Sequence, residues 1–341
     1  MEDLKRLPKH DPTALYRLRD GLYAPELVAA AVTGLDFFTW LAKSPSSAPA
    51  ICESLGLSPR PAEVMLTLFR AMGLIEKAGQ AFRVTGLARD ILTRDSPWFI
   101  GPYYAPLADR PVCRELLEVL RTGKPAKWAH NAQRPWKEAM EDAEVSEKFA
   151  RMMDARGLYL GPILARRGEF RGRSRVLDIA GATGIYACCL VAAHHGLKAT
   201  VLERAPAARV ARRCIAQRGC ADRVEVAEGD MFDAPFPADC DVHLFSNVLH
   251  DWDENSVKTL LRKSHEALPH GGIIVIHDAH LNRNKTGPLP VAAHSVFLMA
   301  VTQGRYYSVS EIADFLREAG FPGMRFARSG MDYSVITARK R

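Results

Sequence analysis

The chain has 341 residues, 48% of them hydrophobic and 25% charged. That is enough for about two domains with full cores, and it excludes disordered, fibrous and low-complexity classes. The formal charge of +7 comes from Lys and Arg scattered among acidic residues, so it does not by itself imply a nucleic-acid or membrane partner.

The seven cysteines are odd in number and contain no C-x-x-C pair. That pattern argues for reduced thiols in a cytoplasmic protein, and against a disulfide framework or a paired-cysteine zinc site. The N-terminus, Met1 to Arg6, is polar, and no run of about 18 apolar residues occurs. Neither a signal peptide nor a membrane-spanning helix is expected.

Residues 1–95 read as an α-helical winged-helix domain. A largely apolar helical stretch covers 22–42, and the Pro- and Ser-rich segment 43–49 breaks it. A short helix follows at 50–57, then Ser58-Pro59-Arg60-Pro61 at a helix start, where Pro is tolerated, and a helix from Ala62 to Met72. The alternating segment 73–85 turns at a glycine, as a β-hairpin does. Helix–turn–helix plus hairpin can bind DNA, but the recognition segment Ala62-Glu63-Val64-Met65-Leu66-Thr67-Leu68-Phe69-Arg70 is largely apolar. It reads as a surface packed on protein, which points to dimerisation rather than nucleic acid.

Residues 96–170 read as a helical linker and substrate-pocket region. It is rich in aromatics: Trp98, Phe99, Tyr103, Tyr104, Trp128, Trp136, Phe149 and Tyr159. Most are expected in the core, and some are expected to line a pocket for a flat molecule.

Residues 171–341 alternate short apolar strands with helices. The strands are expected at 176–179, 199–203, 224–226, 240–246 and 272–278. Alternating β and α with continuous apolar strands implies a parallel sheet covered on both faces: an α/β, Rossmann-like doubly wound domain.

Asp178, Gly181 and Gly184 stand in a D-x-x-G-x-x-G turn between the first of these strands and a helix. The spacing is neither that of a dinucleotide site nor that of a P-loop, and no Lys is present to meet a phosphate. An ordinary strand-to-helix turn would also use such glycines. Glu203 ends the second strand, where an acid can accept both hydroxyls of a ribose; a solvated strand end is the plainer alternative. Gly229, Asp230 and Met231 follow the third strand, offering a carboxylate for an adenine amino group and a thioether for its ring. Ser246 and Asn247 end the fourth. Open α/β sheets bind ligands outside these carboxyl ends.

These motifs, with Asn247-Val248-Leu249-His250-Asp251-Trp252-Asp253-Glu254, resemble the class I O-methyltransferases of the caffeate, flavonoid and acetylserotonin type and their bacterial secondary-metabolite relatives. The resemblance extends to the front domain, to Phe149-Ala150-Arg151-Met152-Met153 and to residues 310–321. It implies S-adenosylmethionine as methyl donor, a small-molecule acceptor and a homodimer formed through the N-terminal domain. Asp178, Gly181, Gly184, Glu203, Gly229, Asp230, Met231, Ser246 and Asn247 are then the expected cofactor residues.

By the same resemblance His250 is the general base that takes a proton from a phenol or enol, a task matched to neutral imidazole. Of the two acids that orient the base in the family, one position matches Asp278, and the other falls near Gly304-Arg305-Tyr306-Tyr307, where this chain has tyrosine. Asp251 is expected to help order the site or to stabilise the start of the next helix. Tyr104, Phe149, Met153, His294, Phe297, Met299 and Tyr306 are the expected acceptor-pocket residues. No metal is expected in this reading.

Three other readings stay open at this stage. His250, Asp251 and His294 could form a two-histidine, one-carboxylate metal face for C-methylation of an α-keto acid. The chain could be a ligand-sensing winged-helix regulator. It could also be a methyltransferase-fold enzyme that uses the sulfonium for another reaction.

Overall fold

A computed structural model describes residues 3–126 and 142–341. Trp128 and Trp136 lie outside the described residues. The chain divides into two compact units. One is formed by Pro12–Gln133 and Leu281–Ser308, the other by Met1–Asp11, Arg134–His280 and Val309–Arg341.

The first unit begins with α1 (Thr13–Asp20), α2 (Ala24–Thr33) and α3 (Phe37–Lys43). The single helix expected over 22–42 is therefore two helices. A Cβ at Gly34 would lie 2.5 Å from Leu117 Cδ1, and Asp36 adopts a left-handed φ of 47°. Its carboxylate accepts the Thr39 hydroxyl at 2.7 Å, a local bond that rewards the turn over a continued helix.

After α3 come β1 (Ser46–Ser47), α4 (Ala48–Leu55), α5 (Pro59–Ala71), β2 (Ile75–Ala78) and β3 (Ala81–Val84). The strands pair antiparallel in the order β1-β3-β2, so the expected hairpin gains a third strand from the Ser-rich break. The helices α6 (Gly86–Leu92), α7 (Gly101–Tyr104) and α8 (Pro111–Thr122) follow. Trp98 and Tyr103 are exposed, at 66% and 84%, so these two of the eight aromatics are not core.

The later helix Leu289–Val301 belongs to this unit too. Residues Ala62, Val64, Met65, Leu66, Leu68 and Phe69 of α5 are all buried. Phe69 meets Phe37 and Phe38 with ring centroids 5.5 and 5.0 Å apart. Arg60, at the start of α5, donates to the carbonyls of Met299 (3.1 Å) and Gly304 (2.9 Å). Burial pulls its guanidinium down to about 10. Glu63 pairs with Arg305 at 3.0 Å and with Lys285. The apolar face of α5 is thus spent on packing within the unit.

The second unit takes in the N-terminal 3-10 turn Asp3–Lys5 and then the long helix α9 (Ala143–Ala165). It continues with β4 (Arg175–Ile179), α10 (Ile185–Ala193), β5 (Lys198–Glu203), α11 (Ala205–Gln217), β6 (Val224–Glu228), β7 (Val242–Ser246), α12 (Glu254–Ala267) and β8 (Ile273–Ala279). The helix Leu289–Val301 of the other unit is α13. Helix α14 (Val309–Glu318) and strands β9 (Met324–Gly330) and β10 (Tyr333–Arg339) complete the second unit.

The sheet order is β6-β5-β4-β7-β8-β10-β9. The first five strands run parallel, and β10 pairs antiparallel with both β8 and β9. All of β7 and β8 is buried, as expected of largely apolar strands covered on both faces. The β9–β10 hairpin was not foreseen. Edge strand β9 is mostly exposed and carries Arg325 and Arg328, a charged edge that resists further pairing. Its turn, Met331-Asp332 with φ of 48° and 62°, lacks the usual Asn-Gly signal.

Helix α9 lies close on α10 because its contact residues are glycines. A Cβ at Gly157 would sit 2.3 Å from Ile185 Cγ2, and one at Gly161 2.7 Å from Cys189 Sγ. No helix among the described residues is long and apolar enough to cross a membrane.

Candidate active site

Strand order reverses at β4, where β5 and β7 flank it on opposite sides. At such a switch point the loops leaving the strands diverge and leave a crevice. A cleft of about 1150 Å³, part of it open to solvent, lies there. Four loops supply its walls: Ala180 to Thr183 after β4, Glu203 and Arg204 after β5, Gly229 to Phe232 after β6, and Ser246 to Val248 after β7. The four strand ends singled out from the sequence thus meet in one cavity.

Asp178 is fully buried and is not on the cleft wall. A Cβ at Gly181 would lie 2.6 Å from its carboxyl carbon, so glycine is required for the loop to settle on that acid. Burial pushes the Asp178 carboxyl up to about 7, and the Glu203 carboxylate adds to the rise. Gly184 starts α10 at a φ of 70°, a conformation glycine adopts without a Cβ penalty. Asp178 and Gly184 therefore shape the loop, while Gly181 faces the cavity.

Glu203 is anchored as well as presented. Its Oε1 accepts the Ala182 N–H at 2.8 Å, and its Oε2 accepts the Arg204 N–H at 3.1 Å. Burial raises its carboxyl to about 7 against those two bonds. Asp230 accepts the Phe232 N–H at 2.9 Å, and a Cβ at Gly229 would lie 2.5 Å from Ala234 Cβ. Lys263 caps the carbonyls of Met231 and Phe232 at 2.7 and 3.0 Å. Phe232 and Trp252 form an edge-to-face pair with centroids 4.7 Å apart. Among the described residues, three acids, Glu203, Asp230 and Asp251, line the cleft with one base, Arg204.

Helix α9 forms another wall through Ser146, Phe149, Ala150 and Met153. Their i, i+3, i+4, i+7 spacing is one helical face. That spacing could have revealed Ser146 and Ala150 beside the two expected residues. Asp154 ties this helix to the loop by accepting from the Thr183 hydroxyl and from Arg218. Arg204 also escaped the sequence reading, although it adjoins Glu203, and Trp252 was singled out only as part of the motif around His250. Tyr186, a further wall residue, carried no signal beyond following the glycine turn.

His250 sits in a short 3-10 turn, Leu249–Asp251, just after β7. It is buried, and its Nδ1 lies 2.8 Å from both carboxylate oxygens of Asp278. Asp278, at the end of β8, also accepts the Ala279 N–H at 2.9 Å. The other ring nitrogen, Nε2, faces Asp251 Oδ1 at 3.6 Å. Burial works against the imidazolium, but Asp278 and Asp251 outweigh it and raise His250 above the ordinary histidine value. Burial pushes Asp251 up to about 6, opposed by His250.

The remaining expected residues belong to the other unit. There His294 Nδ1 and the Tyr306 hydroxyl are 2.9 Å apart, and Asp20 lies 3.7 Å from the same nitrogen. Phe297 stacks on Tyr23 at 5.8 Å. Met299 is buried, and Tyr104 packs against Ala29, Ala30 and Cys113. Among the described residues, no group of three or more His, Cys, Asp or Glu side chains is arranged to hold a metal ion.

Residues 113–322 match the family model of the O-methyltransferase domain. The chain is 32% identical over 320 residues to 3-hydroxy-5-methyl-1-naphthoate 3-O-methyltransferase of Streptomyces sahachiroi, covering 93% of this chain and 91% of that one. Its fold matches an O-methyltransferase family 2 protein from Planctomyces limnophilus, solved with apigenin. That match has a TM-score of 0.89, 30% identity and 99% coverage of both chains. Human N-acetylserotonin methyltransferase, solved with S-adenosylmethionine, shares the fold at a TM-score of 0.61 and 21% identity, over 98% of this chain and 99% of that one. The chain belongs to the O-methyltransferase family and is an S-adenosylmethionine-dependent methyltransferase.

Proposed function

We propose that the protein methylates a phenolic or enolic hydroxyl of a small secondary metabolite, with His250 as general base. The observation that carries this reading is the His250–Asp278 contact at 2.8 Å. A carboxylate on Nδ1 fixes that nitrogen as the N–H donor and leaves Nε2 as the proton acceptor. The aromatic wall formed by Phe149, Phe232 and Trp252 supports a flat partner. A hydroxylated fused-ring aromatic, as in the name of the similar Streptomyces sahachiroi enzyme, is the acceptor class we infer.

The cleft suits the cofactor. Glu203 would hold the ribose hydroxyls, Asp230 the adenine amino group, and Met231 the ring face. The excess of acid on the wall suits a cationic sulfonium. Bound S-adenosylmethionine supplies an electrophilic methyl group. The chain's own part is to orient the acceptor, exclude water and take the hydroxyl proton at His250 Nε2. Proximity can contribute at most about 7–11 kcal/mol to such a displacement, and a positioned base about 10²–10⁴-fold.

Metal-assisted C-methylation has less support, because no metal-competent side-chain group occurs among the described residues. A DNA-binding regulator has less support, because α5 is buried in its own unit. We propose that the first unit is a winged-helix domain that dimerises instead. Leu15, Leu18 and Leu22 are 72%, 74% and 50% exposed and spaced to form one apolar stripe along and just beyond α1. Light scattering should give twice the mass of one chain, and a single-chain mass at micromolar concentration refutes the dimer.

For Glu203, loss of a charged acceptor shared by two hydroxyls should weaken cofactor binding by about 10–100-fold. Calorimetric titration of Glu203→Ala with S-adenosylhomocysteine checks this, and an unchanged Kd removes the ribose assignment.

For His250, activity should fall as pH drops through a value above the ordinary histidine pKa, since only neutral imidazole accepts a proton. His250→Ala should lower kcat by about 10²–10⁴-fold with little change in cofactor Kd. Asp278→Asn should move the acid limb to lower pH, because a carboxylate that favours the imidazolium is gone. A limb that stays in place would show that Asp278 does not tune this histidine.

A further inference from the structure

We infer that Arg156 and Tyr333, neither of which lines the cleft, are positioning residues that hold its floor in a strained backbone conformation. The inference rests on the cleft being the cofactor site.

The floor residue concerned is Asn247. It lies on the cleft wall and has a φ of 59°. A side-chain-bearing residue in this left-handed region is disfavoured, less for Asn than for most. The turn sends the chain from the end of β7 towards His250, three residues on.

The Asn247 side chain is held from both ends. Arg156 of α9 donates to the Tyr333 hydroxyl at 2.7 Å, and Tyr333 of β10 in turn donates to Asn247 Oδ1. Asn247 Nδ2 donates to the Tyr186 hydroxyl of α10 at 3.0 Å and approaches Ser246 Oγ at 3.4 Å. Guanidinium can only donate, so Arg156 forces the Tyr333 hydroxyl to accept from it and to direct its own proton at Asn247. That in turn fixes which end of the amide is oxygen. The chain of bonds therefore has one direction, Arg156 to Tyr333 to Asn247 to Tyr186.

His277 sits beside both tyrosines, with ring centroids 5.6 Å from Tyr186 and 5.3 Å from Tyr333. Its carbonyl accepts the Asn247 N–H at 3.1 Å. Its Nδ1 lies 2.9 Å from Ser246 Oγ. Elements far apart in sequence thus converge on one strained residue. Because the amide's oxygen and nitrogen are both engaged by protein groups, its part is to hold the backbone rather than to grip a ligand.

Glycine separates these two parts, since it adopts the left-handed region freely but carries no amide. The probe is S-adenosylhomocysteine binding by calorimetry, with the thermal midpoint measured for every variant. Asn247→Ala should weaken binding about tenfold, whereas Asn247→Gly should stay within about threefold of the parent. Tyr333→Phe should weaken binding about fivefold in the parent and less than twofold in the Asn247→Gly background. If Asn247→Gly binds as poorly as Asn247→Ala, the side chain acts on the ligand and the inference is overturned. An equal loss from Tyr333→Phe in both backgrounds overturns it too, by showing that Tyr333 acts apart from Asn247. A parent protein that does not bind S-adenosylhomocysteine would instead reject the cofactor-site reading beneath it.

Discussion

The site depends on how the backbone leaves β4. Within five residues Ala180, Ala182 and Gly184 take left-handed φ values of 54°, 52° and 70°. The two alanines each cost roughly 1–2 kcal/mol in that region, so the loop must be over-determined by its surroundings. The Ala180 N–H donates to the Leu202 carbonyl at 2.9 Å, and the Gly184 N–H to the Gly181 carbonyl at 2.8 Å. The Ala182 N–H goes to Glu203 and the Thr183 hydroxyl to Asp154. Beneath the loop, the Asp178 carboxyl fits only because residue 181 has no Cβ.

That turn organises the electrostatics around it. Glu203 is drawn to one edge of the cleft by the amides it accepts, with Asp230 and Asp251 as its acidic companions on the wall. Among the described residues that wall carries more acid than base. The order of the parallel strands then brings β8 beside β7, so that Asp278 at the end of one meets His250 just past the end of the other. Burial alone would lower that histidine; two carboxylates reverse the sign. A raised pKa makes the neutral His250 imidazole a stronger proton acceptor.

Much of this was legible because it lies where periodicity and spacing speak. Four of the five parallel strands, β4, β5, β7 and β8, are largely apolar and buried, and the cleft-lining residues cluster at strand carboxyl ends. The role of Asp178 was not legible: an acid three residues before a glycine looks the same whether it faces a ligand or supports the turn. The break in the 22–42 helix depends on Leu117 crowding Gly34, a contact no local pattern records. The β9–β10 hairpin hid behind exposed arginines and an unusual turn. Nothing in the apolar helix Leu289–Val301 says that it packs beside α5 in the other unit. Tyr186, Tyr333 and Arg156 come from distant parts of the chain and meet only in three dimensions.

The central claim is that the methyl group passes to a hydroxyl oxygen whose proton His250 removes. The direct measurement uses S-adenosylmethionine with an isotope-labelled methyl and a hydroxylated fused-ring aromatic as acceptor, and locates the label by NMR. The account predicts a labelled methoxy carbon, formed by the parent protein and largely lost with His250→Ala. Label on a ring carbon, or a labelled methoxy product formed equally well without His250, would contradict it.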